Sequence, residues 1–478
     1  MTLDEICQEQ FCKSFKLPSL GASVAGTDRG VDASSEFDQS VHRYKQFREE
    51  SRSRLGALDS AGGVEFLYGA LPALLQSGLS SCKLPGAERM DEVREAVTEF
   101  LSGYEEAYQP FSLHDIAFKV LERGLFRSVP MVQPSLDLGV GNGYVSNYIF
   151  RGQMPTVGSD PLMAPFQFHQ EYRRYAHSLC IDATQIPFER DTFATVYMVH
   201  SIDHVRDRGA VLAEMHRVLR PGGTVAFSDL SEFAPELMPM GTLCKAMGLD
   251  ELSSDPSRFF MDMAGESREF WSIDRYRKAL AAAGFEDARI QYFCSPRLAR
   301  FCWAWFEIHL AMNQMDAHLT ALRSGRYRHL RESFFDFVTS SLTPFLARDA
   351  ELCGAVQRGF NFFITARKQG ASSPAVPHAP GNGAGDTFDF SGRLVCPACK
   401  GKAVIGQESV RCDRCGMQYP VIGSVPLMLP AYAIAYGRIR DELARHRWRR
   451  YLPAIRMCVL RRPWLCRVFN TFRQMFAR

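Results

Sequence analysis

The sequence predicts an α/β chain built on a largely parallel sheet, and three observations carry that prediction. Short apolar runs alternate with helical patterns from residue 134 onward, the rhythm of βαβ units. The glycine-rich stretch DLGVGNG (137–143) stands where the first run ends and a helical pattern begins. Acids close the next two runs, Asp160 in GSDP and Asp182 in IDAT, so that Asp137, Asp160 and Asp182 line the carboxyl edge of successive strands.

Seven strands are expected, at 134–138, 155–159, 178–181, 194–199, 223–228, 288–293 and 360–366. Between the fourth and fifth, DRGAVLAEMHRVL (207–219) has helical spacing, and PGG (221–223) supplies its stop. Upstream, residues 37–128 show the 3.6-residue apolar spacing of helices, as in DEVREAVTEFLSGYEEAY and SLHDIAFKVLERGLF. Residues 1–36 are polar and small-rich, an expected flexible arm. Two helical insertions, 231–271 and 295–355, interrupt a core spanning 129–369. A linker at 370–391, rich in Gly, Pro and Ala, leads to a cysteine module at 392–430 and a basic tail at 431–478.

The 478 residues suffice for two or three domains, and 46% hydrophobic with 23% charged residues is an ordinary globular balance. MTLDEICQEQ places Asp4 and Glu5 where a signal peptide needs an apolar segment. No run reaches the roughly 18 apolar residues that a bilayer span requires. A cytoplasmic location, peripheral to a membrane if the tail binds one, is the expectation. Charge is uneven: from Arg438 to Arg478 twelve arginines face only Asp441 and Glu442, a balance near +10 within a chain of net +3. One end is suited to an anionic partner.

The glycines of DLGVGNG let a ligand approach bare backbone. A phosphate-binding loop would continue with Lys-Ser/Thr, whereas Gly143 precedes Tyr144 and Val145. A dinucleotide fingerprint places its third glycine one position later. A carboxylate at Asp137 suits a cationic amino group, one at Asp160 can accept both ribose hydroxyls, and one at Asp182 can take an adenine amine. Phe188 and Phe193 add apolar surface. Any one of these acids alone reads more readily as a helix cap; it is the three together, spaced behind the glycine turn, that point to a ligand.

DLGVGNG, GSDP, DATQIPFERDTFATVYMVHSIDHV and EMHRVLRPGGTVAFSD together resemble the class I S-adenosylmethionine-dependent methyltransferases, in the branch containing the ubiquinone- and menaquinone-biosynthesis C-methyltransferases. KALAAAGFEDARIQYF and GFNFFITARK resemble the last helix and final antiparallel hairpin of that Rossmann-like fold. The resemblance, over roughly 110–369, implies S-adenosylmethionine as methyl donor. It implies that Asp137, Gly139, Gly141 and Gly143 hold the methionine moiety, Asp160 the ribose, and Asp182 with Ala183 the adenine. His200, Asp203 and His204 in HSIDHV stand at the end of the fourth strand, where the family borders its substrate. Methyl transfer gains much from alignment alone, and only some acceptors need a base. His204 is the candidate base; the alternative has His200 packing on the cofactor and Asp203 with His204 capping the next helix.

CPACKGKAVIGQESVRCDRC sets Cys396, Cys399, Cys412 and Cys415 in two C-x-x-C knuckles, spacing that can close a tetrahedral structural zinc. With CGMQYPVIGSVPLMLP, the block resembles the zinc-ribbon family of the activator subunit of tRNA and protein methyltransferases. The insertion helices 301–319 and 328–346 are crowded with Phe and Trp, either packing a cap of their own or enclosing a bulky hydrophobic acceptor. In the tail, Trp464, Leu465, Val468, Phe469 and Phe472 make one helical stripe amid arginines. Residues 438–478 thus fit an anionic membrane surface, RNA phosphates, or the protein's own surface. The acceptor is expected to be a bulky small molecule, lipid-linked compound or glycan; an RNA acceptor and a non-catalytic scaffold are the alternatives.

Overall fold

A computed structural model describes residues 85–102, 113–141, 143–161, 175–237, 270–299, 338–353, 355–370, 388–422 and 425–430, with a few single positions besides. The expected arm 1–36, most of the two insertions, nearly all of the linker and the basic stretch 438–478 lie outside the described residues. The chain divides into two compact units, Gly30–Leu394 and a second containing Val395–Arg478.

In the first unit, α1 (Ala87–Ser102) and α2 (Leu113–Arg127) precede the sheet. Then follow β1 (Ser135–Leu138), α3 (Tyr144–Ile149), β2 (Val157–Ser159), β3 (His177–Leu179), β4 (Phe193–Met198), α4 (Arg208–Val218) and β5 (Leu219–Leu230). The unit closes with α5 (Ile273–Ala283), β6 (Phe285–Phe293), α6 (Thr343–Leu352) and β7 (Asn361–Lys368). The sheet order is β3-β2-β1-β4-β5-β7-β6. Strands β1 to β5 pair in parallel, while β7 runs antiparallel to both β5 and β6. The expected α/β core is therefore a seven-stranded mixed sheet whose order reverses between β1 and β4. A crevice opens at such a reversal, outside the carboxyl ends of the strands.

Central strands buried on both faces need unbroken apolar character, and SLDL of β1 is buried at every position. One consequence is that Asp137 enters the core with its neighbours. Helices α1 and α2 are no separate module: Val97, Phe100, Ile116 and Phe126 share one apolar cluster with Tyr197, Ala226 and Phe363 of the sheet. Burying each large side chain of this kind contributes about 1.5–3 kcal/mol. The hydroxyl of Tyr148 donates to the Ala96 carbonyl at 3.0 Å and that of Tyr144 to Phe100, tying α1 to α3.

One boundary differs from expectation. Helix α4 starts as predicted, with Asp207 capping the Ala210 N–H at 2.9 Å, but ends at Val218, before PGG. Pro221–Gly223 lie inside β5. A Cβ at Gly223 would stand 2.9 Å from the Ala194 carbonyl oxygen, so this glycine allows β4 and β5 to approach rather than ending the helix. The interval after the sheet also differs. Phe388 and Phe390, expected in or beside the linker, pack on Phe188 and Phe193, and Phe390 stacks on His177 at 4.2 Å.

The second unit contains a four-stranded antiparallel sheet, β8 (Ala403–Ile405), β9 (Ser409–Cys412), β10 (Gln418–Ile422) and β11 (Val425–Pro426), in the order β11-β10-β9-β8.

Candidate functional site

Gly139, Gly141 and Gly143 all adopt positive φ, at 71°, 56° and 86°, a region closed to most side chains. The turn is held by its neighbour strand: the N–H groups of Gly139 and Val140 donate to the Ser159 carbonyl at 2.8 and 3.1 Å. Asp160 holds the tip, its Oδ2 accepting from the Gly141 N–H at 2.8 Å. A Cβ at Gly139 would lie 2.3 Å from Ser201 Oγ, so the turn presses against the loop after β4. At Gly141 nothing among the described residues comes within 4 Å of a Cβ position. The backbone there faces open space.

Asp137 is fully buried. Its Oδ2 accepts from the Tyr175 hydroxyl at 2.9 Å, and its Oδ1 has no hydrogen-bond partner among the described residues. Burial, with a smaller push from Asp160, drives its carboxyl up to about 7, against the pull of the Ser146 and Tyr175 hydroxyls. Asp182 takes the capping role: Oδ1 accepts from the Thr184 N–H at 2.8 Å and from its hydroxyl at 2.7 Å, and Ala183 opens the short turn that follows. Phe188 and Phe193 are fully buried against each other and against Phe388 and Phe390, so their surface is spent inside the fold. The register Leu138↔Ser159↔Leu179 nevertheless brings Asp160 and Asp182 to the same sheet edge as the glycine turn.

The two histidines of HSIDHV separate. His204 is half exposed, with Nε2 at 3.8 Å from the buried Asp203. His200, in the left-handed region at φ 46°, turns inward. Its Nδ1 lies 3.2 Å from Glu122 Oε1, and its backbone N–H donates to Ser228 Oγ at 2.9 Å. Ser228 in turn donates to the same Glu122 oxygen at 2.6 Å, while Lys119 Nζ donates to Oε2 at 2.7 Å. Asn361 Nδ2 stands 3.5 Å from His200 Nδ1. Burial alone would raise the Glu122 carboxyl; the Lys119 ammonium and His200 outweigh it and hold it at about 2.

Glu122, Lys119 and Tyr175 belong to no motif that the sequence displays, and Ser228 and Asn361, though inside AFSD and GFNFFITARK, are not marked there as site residues. For the first two a signal existed, a Lys–Glu pair three residues apart on an otherwise apolar helical face, which expensive burial must explain.

In the second unit the four predicted cysteines converge, every Sγ within 4.8 Å of the others. Cys396 and Cys415 are 3.7 Å apart at sulfur, and Cys399 and Cys412 are 3.5 Å apart. The Tyr419 hydroxyl approaches Cys396 Sγ at 3.2 Å.

Comparison with known proteins agrees with this geometry. Residues 136–227 match the family described as a methyltransferase domain. Methyltransferase GfsG of Streptomyces halstedii is 43% identical over 105 residues, 22% of this chain and 33% of that protein. The ubiquinone/menaquinone biosynthesis C-methyltransferase UbiE of Desulfotalea psychrophila is 26% identical over 169 residues, 33% of this chain and 68% of that one. A malonyl-[acyl-carrier protein] O-methyltransferase of Halorhodospira halophila is 26% identical over 273 residues, 51% of this chain and 83% of its own. The match to the first of these spans only a third of its length. The matched residues thus lie on a Rossmann-like mixed sheet of seven strands and are similar to a methyltransferase domain. Among the described residues no helix is long and apolar enough to cross a membrane.

Proposed function

We propose that the chain is a methyltransferase taking its methyl group from S-adenosylmethionine, with the donor lying along the glycine turn. The observation that carries this reading is the turn itself, three left-handed glycines pinned by Asp160 and open above Gly141. The residues fit the donor. Bare backbone at Gly139–Gly143 accepts the methionine end, and Asp137 Oδ1, which has no hydrogen-bond partner among the described residues, is a buried carboxylate oxygen able to meet a cationic amine. Asp160 stands at the ribose position, with Asp182 and Ala183 beyond it towards the adenine. When bound, the donor supplies an electrophilic methyl on a sulfonium; the chain's task is alignment and exclusion of water.

For the acceptor we favour a bulky small molecule or a lipid- or carrier-linked compound. Relatives named for quinone and malonyl-carrier methylation support that class. An RNA acceptor, gripped by the second unit and the basic tail, is the alternative that the arginine excess supports. The four sulfurs are proposed to hold a structural zinc: Zn–S bonds of about 2.3 Å at tetrahedral angles place sulfurs roughly 3.8 Å apart, close to the spacing seen. Four thiolates leave no open position for catalysis.

Binding of radiolabelled S-adenosylmethionine tests the core of this reading. Wild type is expected to bind, and Asp160→Ala to bind about 5- to 150-fold more weakly, because the Gly141 N–H loses its charged acceptor. Absence of wild-type binding would defeat the reading. Transfer of methyl label into fractionated cell extract then separates small-molecule, lipid and RNA acceptors.

A further inference from the structure

We infer that His200, oriented by the buried carboxylate of Glu122, is the proton acceptor for the group being methylated. The inference rests on the methyltransferase reading above and names a residue that does its proton chemistry.

Side chains from four elements build the arrangement. Glu122 lies on α2, Ser228 on β5, Asn361 on β7 and His200 on the loop after β4. The Glu122 carboxylate is fully buried and accepts from Lys119, Ser228 and His200. A carboxylate kept ionised can only accept, so the proton of the neutral imidazole sits on Nδ1 and the lone pair is left on Nε2. Ser228 fixes the same unit a second time, through the His200 backbone N–H. That bond helps hold a non-glycine residue at φ 46°, a conformation that persists only where surroundings impose it. Reversing the Asn361 amide would turn Oδ1, which has no partner among the described residues, towards Nδ1 as a further acceptor.

The placement suits the reaction. Ser201, the next residue, is the one against which Gly139 is packed, so His200 stands where the β4 loop meets the donor's glycine turn. Its side chain is 16% exposed, enough for one edge to reach a ligand. Among the described residues Nε2 has no hydrogen-bond partner, and the Phe118 ring lies beside the imidazole at 5.9 Å. As the acceptor atom's electron pair forms the bond to the methyl carbon, the carbon–sulfur bond breaks with its pair staying on sulfur. The proton of the acceptor's O–H, N–H or acidic C–H passes to Nε2. Glu122, acting through His200, is a positioning residue that also stabilises the imidazolium. Other charged groups on the surrounding elements are Lys119 on α2, Asp203 and His204 on the same loop, and the Arg208–Asp229 pair between α4 and β5. Lys119 pairs with Oε2 of the same Glu122 carboxylate and Arg208 with Asp229, so Glu122 Oε1 is the anionic atom that His200 meets directly.

The test uses the full chain. Selective 15N-histidine labelling, with the His200 signal assigned by its loss in His200→Gln, gives the tautomer from two-bond proton–nitrogen correlations in S-adenosylhomocysteine-bound wild type. The Nδ1–H form is expected; the Nε2–H form overturns the inference. Glu122→Gln, which keeps the shape and removes the charge, should slow methyl-label incorporation at least about tenfold and shift part of the His200 population to the Nε2–H tautomer, with partial return in Glu122→Asp. An unchanged tautomer and rate also overturn it. In methyl-label transfer into cell extract, His200→Gln should slow incorporation at least about 100-fold, and more than His204→Gln does, while S-adenosylhomocysteine affinity by calorimetry changes less than threefold. A His200→Gln rate within threefold of wild type removes the base and leaves the methyltransferase reading standing. Wild type that binds no S-adenosylhomocysteine removes both.

Discussion

Replacing Asp137 by Asn should flatten the pH dependence of stability. The carboxyl is buried at the centre of the sheet, and that burial is the main reason it titrates at about 7 rather than at its ordinary 3.8. Between those two pH values the folded chain keeps a proton that the unfolded chain has released. Stability from this group is therefore fully present below about pH 4, falls as pH rises, and levels off above about 7. The gap of roughly three pH units, at about 1.4 kcal/mol each, amounts to about 4 kcal/mol across the window. Asn keeps the shape and an oxygen for the Tyr175 hydroxyl but has no proton to lose. Urea unfolding of the ligand-free chain, followed by circular dichroism from pH 4 to 8, should show the two proteins similar at pH 4. At pH 8 the Asp137→Asn protein is then the more stable by up to that amount. Asp229 and Asp349 also titrate high, near 6, but they are common to both proteins and drop out of the difference. Parallel curves for the two proteins would refute the assignment of that slope to Asp137.

Gly139→Ala and Gly141→Ala incur similar left-handed strain, but the first drives a Cβ into Ser201 and the second puts one into the open space assigned to the donor; urea unfolding should show the larger loss of stability in Gly139→Ala, and calorimetry should show S-adenosylhomocysteine affinity at least about tenfold below wild type in Gly141→Ala. Asp229→Ala strands the buried Arg208 guanidinium, which donates to Oδ2 at 2.7 Å, and should cost about 3–5 kcal/mol in urea unfolding. Adding Arg208→Met should restore part of that loss, because no unpaired charge then remains in the core. Elemental analysis should find about one zinc per chain, and Cys412→Ser should lower both zinc retention and resistance to a chelator.

The sheet was legible because its signals are local. Each of the seven strands lies within a few residues of its expected place, since a buried strand needs a short apolar run and little else. What misled was PGG, where a glycine that serves close strand approach has the same appearance as one that ends a helix. Phe188 and Phe193 misled for a related reason. An aromatic residue near a ligand crevice announces apolar surface but not what covers it, and Phe388 and Phe390 arrive from some two hundred residues away.

The candidate site divides along the same line. Gly139, Gly141, Gly143 and Asp160 lie within 22 residues of one another, and their chemistry could be inferred from spacing because the backbone between them is a single strand–turn–helix–strand unit. The choice between His200 and His204 had no such local basis. Four positions separate them, and both follow a strand end. What distinguishes them is Glu122, 78 residues upstream, and Ser228, 28 residues downstream, and nothing in the sequence links either of them to His200. A buried carboxylate costs stability unless donors surround it, and Glu122 has three of them, one of which is His200. His204 faces solvent near Asp203. The proposed donor cradle is thus written along one stretch of chain, whereas the proposed base is defined by tertiary contacts among α2, β5, β7 and the loop after β4.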